Sequence, residues 1–418
     1  MREHAPNKLD RRTFLAGLMA SASAAARSSR GDEPPPVRAL TRGPKFHWFG
    51  YYDKLEFDPT GRYVLGMAVG FEHRSPRPDD VIEVGMVDLH DQDRWIPLGT
   101  SRAWCWQQGC MLQWIPGSKS EVIWNDRVDD RFVSRILNVE TRAERTIPAP
   151  IYALSPDATW AVAPDFRRLH DTRPGYGYAG IPDPGRDQLA PDDAGIWRTD
   201  LKTGQTRLLF SFRRLAGMFP GNPAPREAKH WFNHLLVSPD GSRFAFLHRW
   251  QGPGDRGFIT RLLTCDPDGG RLHVLDPHRK TSHFIWRDPN HILAWAFHPS
   301  HGEKFYLYQD LSDRVEVVAP DVMTVNGHCT YLPGTDSRWI LNDTYPDRQR
   351  LQHPYLYDTQ RGTRHALGAF LSPPAYTGEW RCDTHPRSSP DGRSVVIDSP
   401  HDGHGRQLYL IDVSRVIA

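Results

Sequence analysis

Short apolar runs recur along the chain, and each leads into a proline-centred turn and then into a second apolar run. In one copy, Leu235–Val237 precedes a turn at Asp240-Gly241, and Phe244–Leu247 follows it. Apolar runs on either side of an Asp-Gly pair predict two antiparallel strands joined by a tight turn. Seven such segments occur, centred on Pro59, Pro116, Pro156, Pro239, Pro289, Pro333 and Pro390.

The spacing of these prolines predicts the architecture. Successive prolines lie 40 to 83 residues apart. Repeats of about 40–50 residues with four short strands each are typical of a β-propeller. We therefore expect an all-β, single-domain, seven-bladed β-propeller from about residue 41 to residue 418. The longest interval, from Pro156 to Pro239, predicts an insertion at about 165–195 that lies over one face.

Composition fits one closed ring. A chain of 418 residues would ordinarily suggest two or more domains, but a seven-bladed propeller accommodates this length in one. The 14 Trp, 14 Tyr and 18 Phe suit packed sheets, and the 36 Pro and 34 Gly suit many tight turns. The formal net charge is only +2, which argues against nucleic-acid binding. An anionic ligand would have to be recognised locally.

The first 30 residues predict a targeting segment and the start of a linker. Residues 11–15, Arg-Arg-Thr-Phe-Leu, resemble the twin-arginine export signal, and an apolar run extends from Leu15 to Ala26. A short membrane anchor is the alternative, but this run is too short to span a bilayer comfortably. The sequence predicts a periplasmic or secreted protein exported by the twin-arginine pathway, with no transmembrane segment in the mature chain.

Histidine recurs at one position of the repeat. The last four segments begin at Val237, Trp286, Tyr331 and Ser388, and a histidine lies three residues before each of these positions. These histidines are His234, His283, His328 and His385. The first strand of each propeller blade lines the central channel, so these side chains are expected to converge. Converging imidazoles form a site for a divalent metal such as zinc or manganese. Alternatively, some are core histidines hydrogen-bonded across the channel, but four at one repeat position favour the metal.

Two of the five cysteines lie close to these histidines in sequence. Cys329 adjoins His328, and Cys382 comes three residues before His385. Thiolate and imidazole are both ligands of zinc. The candidate metal ligands are His283, His328, Cys382 and His385, while His234 either joins them or stands free as a base.

Further polar side chains lie beside the repeat positions and at the ends of the following strands. Those beside the repeat positions are Tyr51, Tyr52, Asp53, Lys54, Asn233, Arg381 and Asp383. Asn125–Arg127 and Asn342–Tyr345 are polar where a strand would ordinarily be apolar, although a turn at a strand end explains them equally well. Together these residues offer a base, cations for a carboxylate and phenolic proton donors.

The segments Asn233-His234-Leu235, Ser282-His283-Phe284, Asn326-Gly327-His328 and Asp383-Thr384-His385 resemble the propeller polysaccharide lyases, namely the oligogalacturonate lyases and the ulvan lyases. The resemblance extends from about residue 46 to the end of the chain. It implies that His234 is the catalytic base and that His283 and His385 bind the metal.

The chain departs from both groups of lyases. Oligogalacturonate lyases use a glutamine and two closely spaced histidines on the last ligand segment, whereas this chain has Trp380, Asp383 and His385. That difference makes Cys382 a candidate replacement ligand. Ulvan lyases take catalytic histidines from an early blade, whereas this chain has no histidine between residues 90 and 170.

The resemblance implies β-elimination on an acidic oligo- or polysaccharide. The reaction needs a cation at the uronate carboxylate, a base for the C5 proton and an acid for the leaving oxygen. The metal, Lys54 or Arg381 would supply the cation, His234 the base, and Tyr51, Tyr52 or Tyr178 the acid. The residues expected to bind substrate are Arg127, Tyr176, Asn233 and Arg381. A carbon–oxygen lyase is thus the favoured function.

Two other functions are open at this stage. A non-catalytic glycan- or protein-binding propeller with a structural metal is favoured by the missing early histidines. A metal-dependent hydrolase such as a lactonase is the third, but those sites usually use carboxylate and asparagine ligands. A fold by itself does not choose among these functions.

Overall fold

The computed structural model of the chain describes residues 34–219 and 224–418. This part of the chain forms seven sheets of four antiparallel strands, with a two-stranded sheet beside the sixth. The prediction of an all-β, seven-bladed propeller is confirmed. The predicted export signal lies outside the described residues.

The strands are numbered from the N-terminal end of the described chain, and β1 is Val37–Ala39. Blade 1 contains β2 to β5, which are Phe46–Trp48, Tyr63–Val69, Ile82–Asp88 and Arg94–Ser101. Blade 2 contains β6 to β9, which are Gln113–Trp114, Glu121–Val128, Arg131–Asn138 and Glu144–Ile147. Blade 3 contains β10 to β13, which are Ala153–Leu154, Trp160–Pro164, Gly195–Asp200 and Thr206–Ser211.

Blade 4 contains β14 to β17, which are Lys229–Val237, Phe244–Gln251, Ile259–Cys265 and His273–Asp276. Blade 5 contains β18 to β21, which are Phe284–Asp288, His291–His298, Gly302–Gln309 and Val315–Val318. Blade 6 contains β22 (Thr330–Tyr331), β23 (Trp339–Asn342), β25 (Tyr355–Asp358) and β26 (Thr363–Ala366), and the small sheet pairs β24 (Leu351–Gln352) with β27 (Phe370–Leu371). Blade 7 contains β28 (Arg387–Ser388), β29 (Ser394–Ser399), β30 (Gln407–Asp412) and β1.

The seventh blade closes the ring. Its outer strand is β1, which pairs with β30 and places Val37 opposite Ile411. Arg387 of this blade is buried, and its Nε donates to Glu56 Oε2 of blade 1 at 2.9 Å. Its Nη2 donates to Asp398 Oδ1 at 2.8 Å. The two ends of the described chain are therefore joined by a strand pair and by a buried ion-pair network.

The turns that follow the repeated prolines have one hydrogen-bond pattern. Ser238 Oγ donates to Asp240 Oδ1 at 2.7 Å and accepts from the Arg243 backbone N–H at 3.0 Å. Gly241 takes φ of +73°, which a residue without Cβ adopts at little cost. The same serine-to-aspartate bond occurs at Ser155–Asp157 and Ser389–Asp391. Local side-chain bonds thus explain why this motif turns the chain.

An insertion separates β11 from β12 in blade 3. It begins with helix α1, Phe166–Thr172, whose N-cap Asp165 accepts from two backbone N–H groups. The fully buried Arg168 then donates to Asp183 and to carbonyl oxygens further along the insertion. Elsewhere in the described residues, α2 spans Phe212–Ala216, and a 3₁₀ turn lies at Gly378–Trp380. Of the helices in the described ranges, none has the length and apolar character needed to cross a membrane.

Candidate metal and catalytic site

The backbone at the repeated positions departs from regular strand geometry. The φ angle is +48° at His234, +39° at His385 and +57° at Met111, which occupies the same position of the second repeat. At His234 the pairing of β14 with β15 skips a residue between Asn233 and Leu235. Such a bulge changes the direction of a side chain relative to a flat strand.

The four predicted histidines come together around two tyrosines of blade 1. The ring centroid of Tyr51 lies 5.0 Å from that of His234 and 5.4 Å from that of His385. The ring of Tyr52 lies 5.2 Å from His328 and 5.8 Å from His283. These residues come from blades 1, 4, 5, 6 and 7, so the site lies where the blades converge.

Three ligand groups among the described residues lie close enough to share one metal ion. They belong to His328, Asp383 and His385, whose ligand atoms all lie within 4.8 Å of one another. All three side chains are buried, and the Nε2 atoms of both histidines have no hydrogen-bond partner among the described residues. Buried polar atoms are ordinarily paired, so two orphan imidazole nitrogens beside a carboxylate fit a divalent cation.

Asp343 orients one of these ligands. It accepts from His328 Nδ1 at 2.9 Å and from the His328 backbone N–H at 2.7 Å. Because an ionised carboxylate only accepts, the proton of the neutral ring is on Nδ1 and the lone pair is on Nε2. Burial lowers the pKa of His328, but Asp343 and, to a smaller extent, Asp383 raise it, and the net change is upward. A carboxylate behind a ligating imidazole is the usual support of a metal site.

The other two predicted ligands differ in their placement. His283 packs against His328 with ring centroids 4.2 Å apart, and its Nδ1 donates to Asn326 Oδ1 at 3.0 Å. Cys382 is not part of the three-ligand group, although it is buried. Burial raises the pKa of its thiol, and the charged group that affects it most is Arg406. The structure thus places Asp383, rather than Cys382, with the two histidines.

His234 forms a separate unit with Asp53 and Lys54. Its Nε2 donates to Asp53 Oδ2 at 3.1 Å, and Lys54 Nζ lies 3.1 Å from Asp53 Oδ1. All three side chains are buried. Burial would raise the pKa of Asp53, but Lys54 and His234 lower it below its ordinary value. Burial also lowers the pKa of His234, so this imidazole is neutral at pH 7 with a free lone pair on Nδ1.

The two tyrosines of blade 1 have different surroundings. The Tyr52 hydroxyl donates to the Phe284 carbonyl at 3.0 Å and accepts from the Phe284 N–H at 3.1 Å, which occupies it structurally. The Tyr51 ring contacts the rings of both His234 and His385. Burial raises the pKa of Tyr51 well above its ordinary value, so the phenol remains protonated at neutral pH.

A cationic wall adjoins the metal-ligand group. Arg381 Nε donates to Asp383 Oδ2 at 2.7 Å, and its Nη2 donates to the Tyr176 hydroxyl at 2.6 Å. Burial would raise the pKa of Tyr176, but Arg381 and Arg173 lower it to about 7. Gln107 connects the insertion with the segment that carries Arg381. Its backbone N–H donates to Gly175 O, and its side-chain amide donates to Arg381 O.

Three other predicted site residues differ in how close they lie to this site. Tyr178 accepts from Asn125 Nδ2 at 2.9 Å and stacks on Phe166 within the hydrophobic core. Arg127 donates to the Pro78 carbonyl at 2.6 Å on an exposed part of the molecule. Asn233 is buried beside His234, and its Oδ1 has no partner among the described residues. Of these three, only Asn233 adjoins the site.

The sequence analysis did not assign a metal-binding or metal-supporting role to several residues that the fold brings to this site. Asp343 and Tyr345 belong to the polar stretch after β23, and Asp383 precedes His385 by two residues. Arg173 and Arg249 come from the insertion and from β15. For Asp343 and Tyr345, the available sequence signal was a polar residue at the end of a buried strand. A turn at the strand end explained that signal equally well.

Comparisons with known proteins agree on the fold. No protein-family model matches the chain, and no curated protein matches it. A solved structure described as an oligogalacturonate lyase in complex with manganese has a TM-score of 0.65 at 17% identity, covering 90% of this chain and 93% of that one. The resemblance to the propeller lyases is confirmed for the fold.

Two further solved structures are similar. The oligogalacturonate lyase from Vibrio parahaemolyticus has a TM-score of 0.62 at 14% identity, covering 91% of this chain and 94% of that one. The propeller domain of the Trilobed protease from Pyrococcus furiosus has a TM-score of 0.50 at 12% identity, covering 87% and 96%. That domain is described as having an open velcro topology, whereas β1 closes the ring here.

Proposed function

We propose that this protein is a metal-dependent lyase that cleaves a uronate-containing oligo- or polysaccharide by β-elimination. The observation that supports this most is that two separate units both lie against Tyr51. One is the His234–Asp53–Lys54 unit, and the other is the ligand group His328, Asp383 and His385. A base, a phenol and a cation site are the three groups that the elimination needs.

Two imidazoles and a carboxylate suit zinc or manganese, and His328, Asp383 and His385 would hold the ion. When bound, such an ion would supply Lewis-acid neutralisation of the uronate carboxylate, which makes the C5 proton more acidic. Asp343 would keep His328 in the tautomer that presents Nε2. Arg381 would orient Asp383.

The remaining steps use residues of the chain. Nδ1 of His234 takes the C5 proton, and the electron pair of the broken C5–H bond forms a C4–C5 double bond. The C4–O bond breaks, and the phenol of Tyr51 donates a proton to the leaving oxygen. Asp53 stabilises the imidazolium that forms, because it already accepts from His234 Nε2. The products are an unsaturated uronate and a shortened sugar chain.

Release of unsaturated uronate tests this function directly. The purified protein is mixed with a panel of acidic polysaccharides, and ultraviolet absorbance is followed with and without a chelator. We expect a signal that the chelator abolishes and that His234→Ala reduces by at least about 100-fold. Full activity of folded His234→Ala would refute the assignment of the base. Silence across the panel with metal bound would favour a binding propeller instead.

Export is a separate part of the proposal. It rests on the Arg-Arg-Thr-Phe-Leu stretch at 11–15 and the apolar run that follows. Cell fractionation with Arg11→Lys and Arg12→Lys together should show loss of the exported, shortened form. An unchanged distribution would exclude the twin-arginine route.

A further inference from the structure

The side-chain amide of Gln108 is buried, but only one end of it has a partner within residues 34–219 and 224–418. Gln108 is 2% exposed, and its Nε2 donates to the Tyr152 hydroxyl at 2.7 Å. Its Oε1 is buried and has no hydrogen-bond partner among the described residues. A buried amide oxygen ordinarily accepts a hydrogen bond, and leaving it unsatisfied is costly. The free end of this amide is therefore a candidate contact for a ligand.

Gln108 belongs to a short loop before β6 that lies directly against the segment of the proposed proton donor. Cys105 and Gly109 exchange backbone hydrogen bonds of 3.1 and 3.0 Å, which close the loop. Gly50, the residue before Tyr51, has φ of +111°, and a Cβ on it would lie 2.9 Å from the Gln108 carbonyl carbon. Glycine at position 50 therefore permits this close approach.

Tyr152 connects the amide with the unit that carries the proposed base. Its ring is fully buried, and Lys54 Nζ lies 4.5 Å from the ring centroid. The same ammonium group lies 3.1 Å from Asp53 Oδ1, and Asp53 accepts from His234. The Tyr152 hydroxyl thus holds the Gln108 amide beside the unit formed by His234, Asp53 and Lys54.

The free atom of the amide selects the chemistry of its partner. A carbonyl oxygen accepts and does not donate, so it disfavours a carboxylate or a sulfate at this position. A sugar hydroxyl both donates and accepts, so it can bond to the free end of the amide whichever way the amide is turned. A uronate linked through C1 and C4 has such hydroxyls at C2 and C3.

We propose that Gln108 is a specificity-determining residue that accepts a hydrogen bond from the C2 or C3 hydroxyl of the uronate bound at His234. The identity of that sugar rests on the proposed function. A sugar that carries an ether or an ester at this carbon has no proton to donate, so it should bind poorly. Tyr152 is a positioning residue, because its hydroxyl fixes the orientation of the amide.

Binding of methyl uronate glycosides to the metal-loaded protein tests this role. These probes have a hydroxyl at C4 in place of a sugar, so they lack the bond that the reaction cleaves. The methyl glycosides of glucuronate and galacturonate are compared with their 2-deoxy and 3-deoxy forms by ligand-observed NMR. We expect the parent protein to bind one deoxy form about tenfold or more weakly, and that form identifies the carbon. Gln108→Leu should reduce the difference to less than about twofold.

Two further variants separate recognition from folding. Gln205→Leu changes an exposed glutamine between β12 and β13 and should discriminate as the parent does. Tyr152→Phe keeps Gln108 but frees its amide, so the difference between the probes should shrink. If Gln108→Leu does not fold, Tyr152→Phe and the deoxy probes with the parent protein still test the role. Equal binding of all probes by the parent, or full discrimination by a folded Gln108→Leu, would overturn the proposal.

The result is separable from that of the uronate-release assay. Release of unsaturated uronate by a protein that does not discriminate against either deoxy probe would retain the proposed reaction and reject the role of Gln108. Discrimination that depends on Gln108, in a protein that releases no unsaturated uronate, would retain the hydroxyl contact and reject the reaction.

Discussion

Arg381 donates to the Tyr176 hydroxyl at 2.6 Å and thereby connects the last blade with the insertion of blade 3. The same guanidinium donates to Asp383, which belongs to the metal-ligand group. One side chain therefore holds both a candidate ligand and Tyr176 of the insertion. Arginine suits this position because its planar fork donates in two directions at once.

Replacing Arg381 by Lys should weaken metal binding. An ammonium group retains the charge but cannot make both bonds, so Asp383 loses its fixed orientation. We expect a metal affinity about 10–100-fold lower, measured by competition with a chromogenic chelator. Arg361→Lys, at an exposed arginine, is the matched control and should bind metal normally. Unchanged affinity in Arg381→Lys would show that Asp383 needs no such support.

Cys382→Ala should bind metal with the stoichiometry of the parent protein. The thiol lies outside the group formed by His328, Asp383 and His385. Elemental analysis after dialysis should find full metal content in Cys382→Ala and little in His385→Ala. Loss of metal from a folded Cys382→Ala variant would instead make the thiol a ligand, as the sequence analysis expected.

Asp53→Asn should lower kcat while leaving metal content unchanged. The carboxylate accepts from His234 Nε2 and so keeps the lone pair on Nδ1. An amide in its place can hold the other tautomer, and it does not stabilise the imidazolium. We expect kcat to fall by about 10²–10⁴-fold in the uronate-release assay. Asp129→Asn, at an exposed turn of blade 2, should match the parent, whereas equal rates for both variants would exclude a role for Asp53.

The protein should lose stability in mild acid through His230 and His248. His248 Nε2 lies 2.9 Å from His230 Nδ1, and His230 Nε2 donates to the Pro225 carbonyl. Burial lowers the pKa of His230 to about 4 and lowers that of His248 well below its ordinary value. The unfolded chain, with histidine pKa values near 6.5, binds more protons below that pH, so stability falls as pH drops from about 6.5 toward 4.

The expected slope is about 1.4 kcal/mol per pH unit for each histidine that stays neutral in the folded protein. Urea unfolding at several pH values would measure it. The double variant His230→Gln, His248→Gln should have a shallower dependence in this window. An identical slope in parent and variant would assign the acid sensitivity to other groups.

Arg387→Met should destabilise the ring strongly. Arg387 is buried between Glu56 and Asp398, and its loss leaves two buried carboxylates without their cation. Removing one partner of a buried ion pair costs about 3–5 kcal/mol, which urea unfolding would detect. The control Arg94→Met removes an exposed partner of the exposed Asp91 and should change the free energy of unfolding little. Similar costs in both would mean that the buried network adds little.

The repeat was sufficient to predict the fold, because strand, turn and strand are determined by local chemistry such as the Ser238–Asp240 bond. It also predicted that histidines from successive blades meet. It did not distinguish Asp383 from the adjacent Cys382, because the chain before His385 is irregular and alternation along a strand does not apply there.

The sequence repeat also did not predict contacts between segments that are distant in the chain. Tyr178 was expected to donate a proton, but the insertion turns it into the core against Phe166. Arg173 of the insertion of blade 3 and Arg249 of blade 4 both contact the ring of Phe258, which no local signal in either segment indicates. Side chains that an insertion brings to a site are the least predictable from one sequence.

The strand pair that closes the ring also determines when the last blade can form during synthesis. Leu408 N–H donates to Thr41 Oγ1 across 367 positions of the chain, and Val37 pairs with Ile411. Because ribosomes make the N-terminal end first, β1 must wait for β30 to emerge before it has a partner. Six blades can assemble during synthesis, but the last is completed only once nearly all of the chain has been made.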